Sequence, residues 1–135
     1  MRPISTRAHG ILDFLSVLAL VAAPAFFEIG ERITPVLYLL AATTLTYSLF
    51  TRYEWGIFRK IPMACHLALD ISSGVFLALL GLLFIDELPG VRVALFLFGM
   101  FEVAVGMLTQ TQQAATVESR HRERHLHFPR RSRHV

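Results

Sequence analysis

Charge is scarce where a water-soluble domain would carry most of it. Only 17% of the 135 residues are Asp, Glu, Lys or Arg, against about 25% in soluble domains, and 54% are apolar. Mean hydropathy is +0.53, which excludes an ordinary soluble fold and points to the bilayer. The single cysteine, Cys65, excludes an intramolecular disulfide and reads as a small apolar residue beside His66. No nucleophile constellation, phosphate loop or haem motif is present, so the expectation is a non-enzymatic protein without a cofactor.

The long stretches without charge are residues 14–27, 33–51, 71–85 and 93–117, the last interrupted only by Glu102. A helix needs roughly 20 mainly apolar residues to cross the ~30 Å hydrocarbon layer. The first and third stretches reach that length only if they begin at a histidine, which places His9, Asp13, His66 and Asp70 inside the membrane helices. Four spans follow, near 8–27, 33–51, 62–85 and 91–111. Run length, and Leu, Ala, Phe and Val content without two-residue alternation, make them helices, since a spanning segment must satisfy its own backbone.

Basic residues are distributed unevenly. Arg2 and Arg7 at the start, Arg52, Arg59 and Lys60 between the second and third spans, and six arginines after residue 117 fall on one side of a four-span protein. Arg32 and Arg92 occupy the other side among acids, so the positive-inside rule places both termini in the cytoplasm of a cell-membrane protein. "APA" at 23–25 has the small-x-small form of a signal-peptide cleavage site, but the internal match described next argues for retention of the segment. The connections 28–32, 52–60 and 86–90 are short, which makes successive helices antiparallel neighbours. Tyr53 and Trp55 stand where interfacial aromatics are usual.

Shifting the chain by 57 positions aligns Ile4 with Ile61, His9 with His66, Leu12 with Leu69, Asp13 with Asp70, Ser16 with Ser73, Leu20 with Leu77 and Phe27 with Phe84. Two of only three aspartates and both histidines outside the tail coincide. The pattern predicts an all-α membrane protein of four transmembrane helices, built as two tandem hairpins (4–54 and 61–112) related by a pseudo-twofold axis along the membrane normal. Residues 1–115 form that domain and 116–135 a basic cytoplasmic tail.

Within each copy, His, Asp and Ser stand at i, i+4 and i+7, one face of a helix turned into the bundle. Asp13 and Asp70 then lie roughly 8–12 Å inside the cytoplasmic helix ends, with Glu102 at a similar depth and Thr43, Thr44 and Tyr47 in the same half. Ionisable groups in spans cost ~2.5–3.5 kcal/mol each, so they pair, face water or serve a function.

The segments "ISTRAHGILDFLSVLALVAAPAFF", "YSLFTRYEWGIFRKIPMACHLALDISSGVFLALLGLLF" and "MLTQTQ" resemble, in order, those of the bacterial SPW-repeat integral membrane proteins, two-hairpin proteins of four spans. Where that pattern reads Ser-Pro-Trp, this chain has Ala23-Pro24-Ala25 and Leu80-Gly81-Leu82. The resemblance implies the fold and membrane residence and carries no molecular activity with it.

Three roles compete for the polar layer of His9, Asp13, Ser16, His66, Asp70, Ser73 and Glu102, supported by Thr44 and Tyr47. The leading one is structural: each histidine bonds the aspartate of its own helix and the layer holds four helices in register, with Gly74, Gly81, Gly99 and Gly106 permitting close packing. A metal site would draw N and O ligands from the two histidines and the carboxylates. A proton or ion path would use the same groups, and four spans would need a homodimer to enclose a pore. The tail "ESRHRERHLHFPRRSRHV" reads as a solvated extension, helical to about residue 127, that reinforces topology and contacts anionic lipids. Its His121, His125 and His127 offer adventitious metal contacts, and nucleic acid is not an expected partner.

Overall fold

The computed structural model describes residues 2–84 and 88–111 as four helices: α1 (Thr6–Phe27), α2 (Thr34–Phe50), α3 (Met63–Leu83) and α4 (Pro89–Leu108). The tail from residue 112 onward, with its expected helix, lipid contacts and histidines, lies outside the described residues, as do 85–87 of the last connection.

Each helix starts where local chemistry allows. Ser5, in extended backbone, caps α1 by accepting from the Ala8 N–H, so one of the unpaired first-turn donors is satisfied. Proline stands in the first turn of α2 and of α4, where its missing N–H has no partner to lose. Pro62 holds the extended residue before α3. At the far end of α1, Glu28 adopts the left-handed conformation that stops the helix.

Three of the helices are long and apolar enough to cross a membrane, whereas α2, with 17 residues, is shorter. At 1.5 Å per residue, α1 measures about 33 Å and α2 about 26 Å. Bulky apolar side chains stand out from the bundle, among them Leu18 (63% exposed), Phe26 (80%), Leu39 (68%) and Leu83 (70%). Water would not tolerate so much contiguous apolar surface, and lipid is the solvent that does.

The interior is divided along its length. One half is an apolar core of Leu20, Ile33, Leu37, Ala41, Leu77, Leu80, Val91 and Leu95. The other half, toward the start of α1 and α3, holds the buried polar residues Thr6, His9, Asp13, Ser16, Thr44, Ser48, Thr51, His66, Asp70 and Thr109.

Helices α3 and α4 pack backbone to backbone. A Cβ at Gly74 would stand 2.7 Å from the Gly99 carbonyl oxygen, and one at Gly81 would stand 2.7 Å from the Phe96 nitrogen. The small residues singled out in the sequence therefore lie in this helix contact, where only hydrogen fits.

Two short crossings close the polar end. Ile4 pairs with Thr109 through Ile4 N–H to Leu108 O (3.1 Å) and Gln110 N–H to Ile4 O (2.9 Å). Ile61 pairs with Thr51 through Ile61 N–H to Phe50 O (2.9 Å) and Arg52 N–H to Ile61 O (2.8 Å). The segment leading into α1 is thus fastened to the end of α4, and the segment leading into α3 to the end of α2. Both fastenings set the depth of the histidine that follows.

Candidate metal centre

His9 and Asp13 are one turn apart on α1, His66 and Asp70 one turn apart on α3, and all four point inward with side chains at most 9% exposed. The expectation that each histidine bonds its own aspartate is met but incomplete, since each imidazole also contacts the aspartate of the other helix. His9 Nε2 lies 3.1 Å from Asp13 Oδ1 and 2.9 Å from Asp70 Oδ2. His66 Nε2 lies 3.1 Å from Asp13 Oδ2 and 3.2 Å from Asp70 Oδ2. The two Nε2 atoms are themselves 3.1 Å apart.

The outward nitrogens fix which ring atom carries the proton. Thr109 Oγ1 donates its one hydrogen to the Val105 carbonyl (2.7 Å) and so accepts from His9 Nδ1–H at 2.9 Å. Thr51 Oγ1 donates to the Tyr47 carbonyl (2.7 Å) and accepts from His66 Nδ1–H at 2.9 Å. A hydroxyl has a single proton, so each threonine is an acceptor toward its imidazole. Nδ1 is protonated on both rings, and in the neutral tautomer both Nε2 lone pairs face the centre.

The carboxylates are held as firmly. Asp70 Oδ1 accepts from the Tyr47 hydroxyl at 2.6 Å, with Thr44 Oγ1 3.2 Å from the same phenol. Asp13 Oδ2 accepts from Ser48 Oγ and Tyr53 OH, each at 3.2 Å. Tyr53 corrects an expectation: its side chain is buried, not interfacial, because the 52–62 connection folds back beneath the bundle and drives the ring against α1. Burial, with the charge of Asp13 beside it, pushes the Tyr53 phenol well above its ordinary value, so it remains a donor. Trp55 does lie at the periphery, its indole N–H on the Arg7 carbonyl at 3.0 Å. Both rings cover Gly10, where a Cβ would collide with Tyr53 Cε2 and Trp55 Cδ1.

Of the remaining sequence candidates, Ser16 is buried and Glu102 half-buried, and they share a cavity of about 20 Å³ that also touches His9, Asp13 and Asp70. Ser73 is half-buried on the Tyr47 side of α3, outside the His–Asp group. Cys65 is exposed and contributes nothing to the site. Sequence reasoning missed Thr51, Thr109, Ser48 and Tyr53. The available signal was a threonine four residues after Tyr47 and another four after Val105, each closing an apolar run.

His9, Asp13, His66 and Asp70 each offer one ligand atom, and those atoms all lie within 4.8 Å of one another. The His–Asp contacts and the contact between the two Nε2 atoms, at 2.9–3.2 Å, approach the ligand-to-ligand edge of about 3.3 Å of a tetrahedral ion with bonds of 2.0–2.1 Å, Asp13 making its two contacts through different oxygens. No family model, no curated protein and no solved structure matches this chain.

Proposed function

We propose that the chain is an integral membrane metalloprotein in which His9, Asp13, His66 and Asp70 hold one divalent transition-metal ion between α1 and α3. The single observation that carries this reading is the pair of convergent Nε2 atoms, each with its ring's Nδ1–H committed to a threonine.

Protons alone serve the group poorly. If both rings are imidazolium, two N–H groups 3.1 Å apart point at each other. If either ring is neutral, its Nε2 lone pair faces a carboxylate oxygen 2.9–3.2 Å away with no proton between them, unless an aspartate takes one. A dication relieves every one of these contacts at once. Two carboxylates cancel its charge, so the loaded centre is neutral, as suits a membrane interior. Threonine acceptors on Nδ1–H are the outer-shell groups that orient metal-bound imidazoles. An N₂O₂ donor set without thiolate suits zinc, iron(II) or manganese(II).

In this reading the ion has the holding role that the sequence assigned to the polar layer. It clamps α1–α2 to α3–α4, the two hairpins being related by a pseudo-twofold axis as in the SPW-repeat proteins the sequence resembles. The protein lies in the cell membrane with both termini in the cytoplasm, a topology supported by the basic-residue count and tested by accessibility of a C-terminal reporter. It acts as a non-enzymatic membrane component.

The decisive experiment is metal analysis of full-length, tag-free protein in which His121, His125, His127 and His134 are replaced by glutamine. One ion per chain is expected, falling to background in His66→Ala and in Asp13→Asn/Asp70→Asn. Absence of stoichiometric zinc, iron or manganese after loading in detergent overturns the reading and leaves a hydrogen-bonded layer.

A further inference from the structure

We infer that the centre keeps one exchangeable coordination position, on the side facing Glu102, that accepts a ligand of one or two heavy atoms such as water or a neutral diatomic gas. This rests on the metal reading and adds to it a binding site.

The four ligands are not enclosed evenly. His66 is walled in by the rings of Tyr47 and Tyr53, with centroids 5.0 and 5.5 Å from its own, and by Thr51 on Nδ1. It takes no part in the cavity. His9, Asp13 and Asp70 line that cavity together with Ser16, Thr44 and Glu102. The ligand sphere is therefore shut around His66 and open where His9, Asp13 and Asp70 meet the cavity.

Size and polarity select the occupant. The volume of about 20 Å³ exceeds the ~10–15 Å³ that one water requires, and it leaves no room for a larger organic substrate. Two hydroxyls and a carboxylate supply the two to four polar partners such a ligand needs.

Glu102 explains itself on the same terms. It sits within an apolar span, bonded to Ser16, and shares its cavity with Asp70 and Asp13, both acids. A carboxylate sharing a cavity with two carboxylates is coherent when a cation stands at the two aspartates and a hydrogen-bonding ligand lies between the cation and Glu102. Coordination preference agrees: iron(II) bound by two histidines and carboxylate characteristically keeps open positions, and manganese(II) takes six ligands. Neutral diatomics dissolve in hydrocarbon and reach a buried site from the bilayer.

The test loads the full-length, tail-histidine-free protein anaerobically with iron(II), adds nitric oxide, and follows the electron paramagnetic resonance signal of a high-spin non-haem iron nitrosyl. Wild type should give the signal in proportion to bound iron. Ser16→Thr and Val105→Ile each add one methyl group to the cavity lining and should lose the signal at unchanged iron content. If Ser16→Thr fails to load iron, Val105→Ile decides. Bound iron without a nitrosyl signal means a closed four-ligand site and overturns this inference alone. A full signal in a loaded cavity-filling variant overturns it too, by placing the ligand elsewhere. Failure of the wild type to bind iron, zinc or manganese overturns the metal reading beneath it.

Discussion

Replacing Thr51 by valine removes one oxygen and keeps the side-chain shape. In the native site Oγ1 receives His66 Nδ1–H at 2.9 Å and passes its own hydrogen to the Tyr47 carbonyl at 2.7 Å. Valine leaves the buried Nδ1–H without an acceptor, at a cost of about 1–3 kcal/mol. The ring can escape by moving its proton to Nε2, but that proton then points at the metal and removes a ligand. Either route weakens binding. At 1.4 kcal/mol per factor of ten, the expected loss of metal affinity is about 5- to 150-fold, which spans the 10–100-fold typical of outer-shell partners. Thr109→Val should act alike through His9. The double variant should lose less than the product of the two, because both rings bind one ion. Affinity is read by competition with a chromophoric chelator in detergent, with Thr51→Ser as the control that restores the oxygen. The reasoning fails if Thr51→Val binds within threefold of wild type, or if serine is as damaging as valine, since packing would then be the cause.

Removing Asp70 takes the acceptor from the Tyr47 hydroxyl and the facing carboxylate from both imidazoles, so Asp70→Ala should destabilise the metal-free bundle by about 3–5 kcal/mol, measured by denaturant titration in mild detergent. Gly99→Val places a side chain against the Gly74 carbonyl and the Ala78 nitrogen and should cost at least about 1–3 kcal/mol in the same assay, whereas Gly90→Ala, with open space around it, should be near neutral. Trp55 is the only tryptophan and packs beside Gly10, so Gly10→Val should red-shift its fluorescence as the 52–62 connection is displaced. The Tyr53 phenol is raised above its ordinary value of 10.0, so its contribution to stability is complete below pH 10 and is lost as pH rises beyond that. Tyr53→Phe should therefore lower stability at neutral pH and flatten the alkaline loss, and an unchanged alkaline slope would count against the Tyr53–Asp13 bond.

The four residues of the His–Asp cluster were legible because histidine and aspartate are conspicuous in apolar runs, and their 57-residue spacing placed them on equivalent turns. Helix number and approximate bounds followed from run length, although α2 is shorter, Thr34–Phe50, than the run 33–51 that announced it. What a sequence does not show is direction across space. His9 reaches Asp70 as closely as Asp13 because α1 and α3 approach at that depth, which no one-helix periodicity contains. Thr51 and Thr109 escaped notice because threonine at the end of an apolar helix is unremarkable, and because they are 58 residues apart, one step off the shift that aligns the histidines. Tyr53 was placed at the interface by its neighbours in sequence, but backbone bonds from Ile57 and Phe58 to the Leu49 carbonyl turn the connection back under the helices. Glu102 was assigned to the layer by depth alone. It shares a small cavity with His9, Asp13 and Asp70, a relation that depth cannot show.

The fastening of Ile4 to Thr109 has a consequence in time. His9 obtains its neighbour His66 only when 57 further residues have been made, and its Nδ1 acceptor only 100 residues after itself. At about 5–20 residues per second, α1 waits roughly 3–11 s for α3 and about 5–20 s for the end of α4. During that interval the His9 imidazole lacks the partners that α3 and the end of α4 supply. A chain that stalls after α2 therefore leaves His9 without His66, Asp70 and Thr109, and only the finished chain supplies all three.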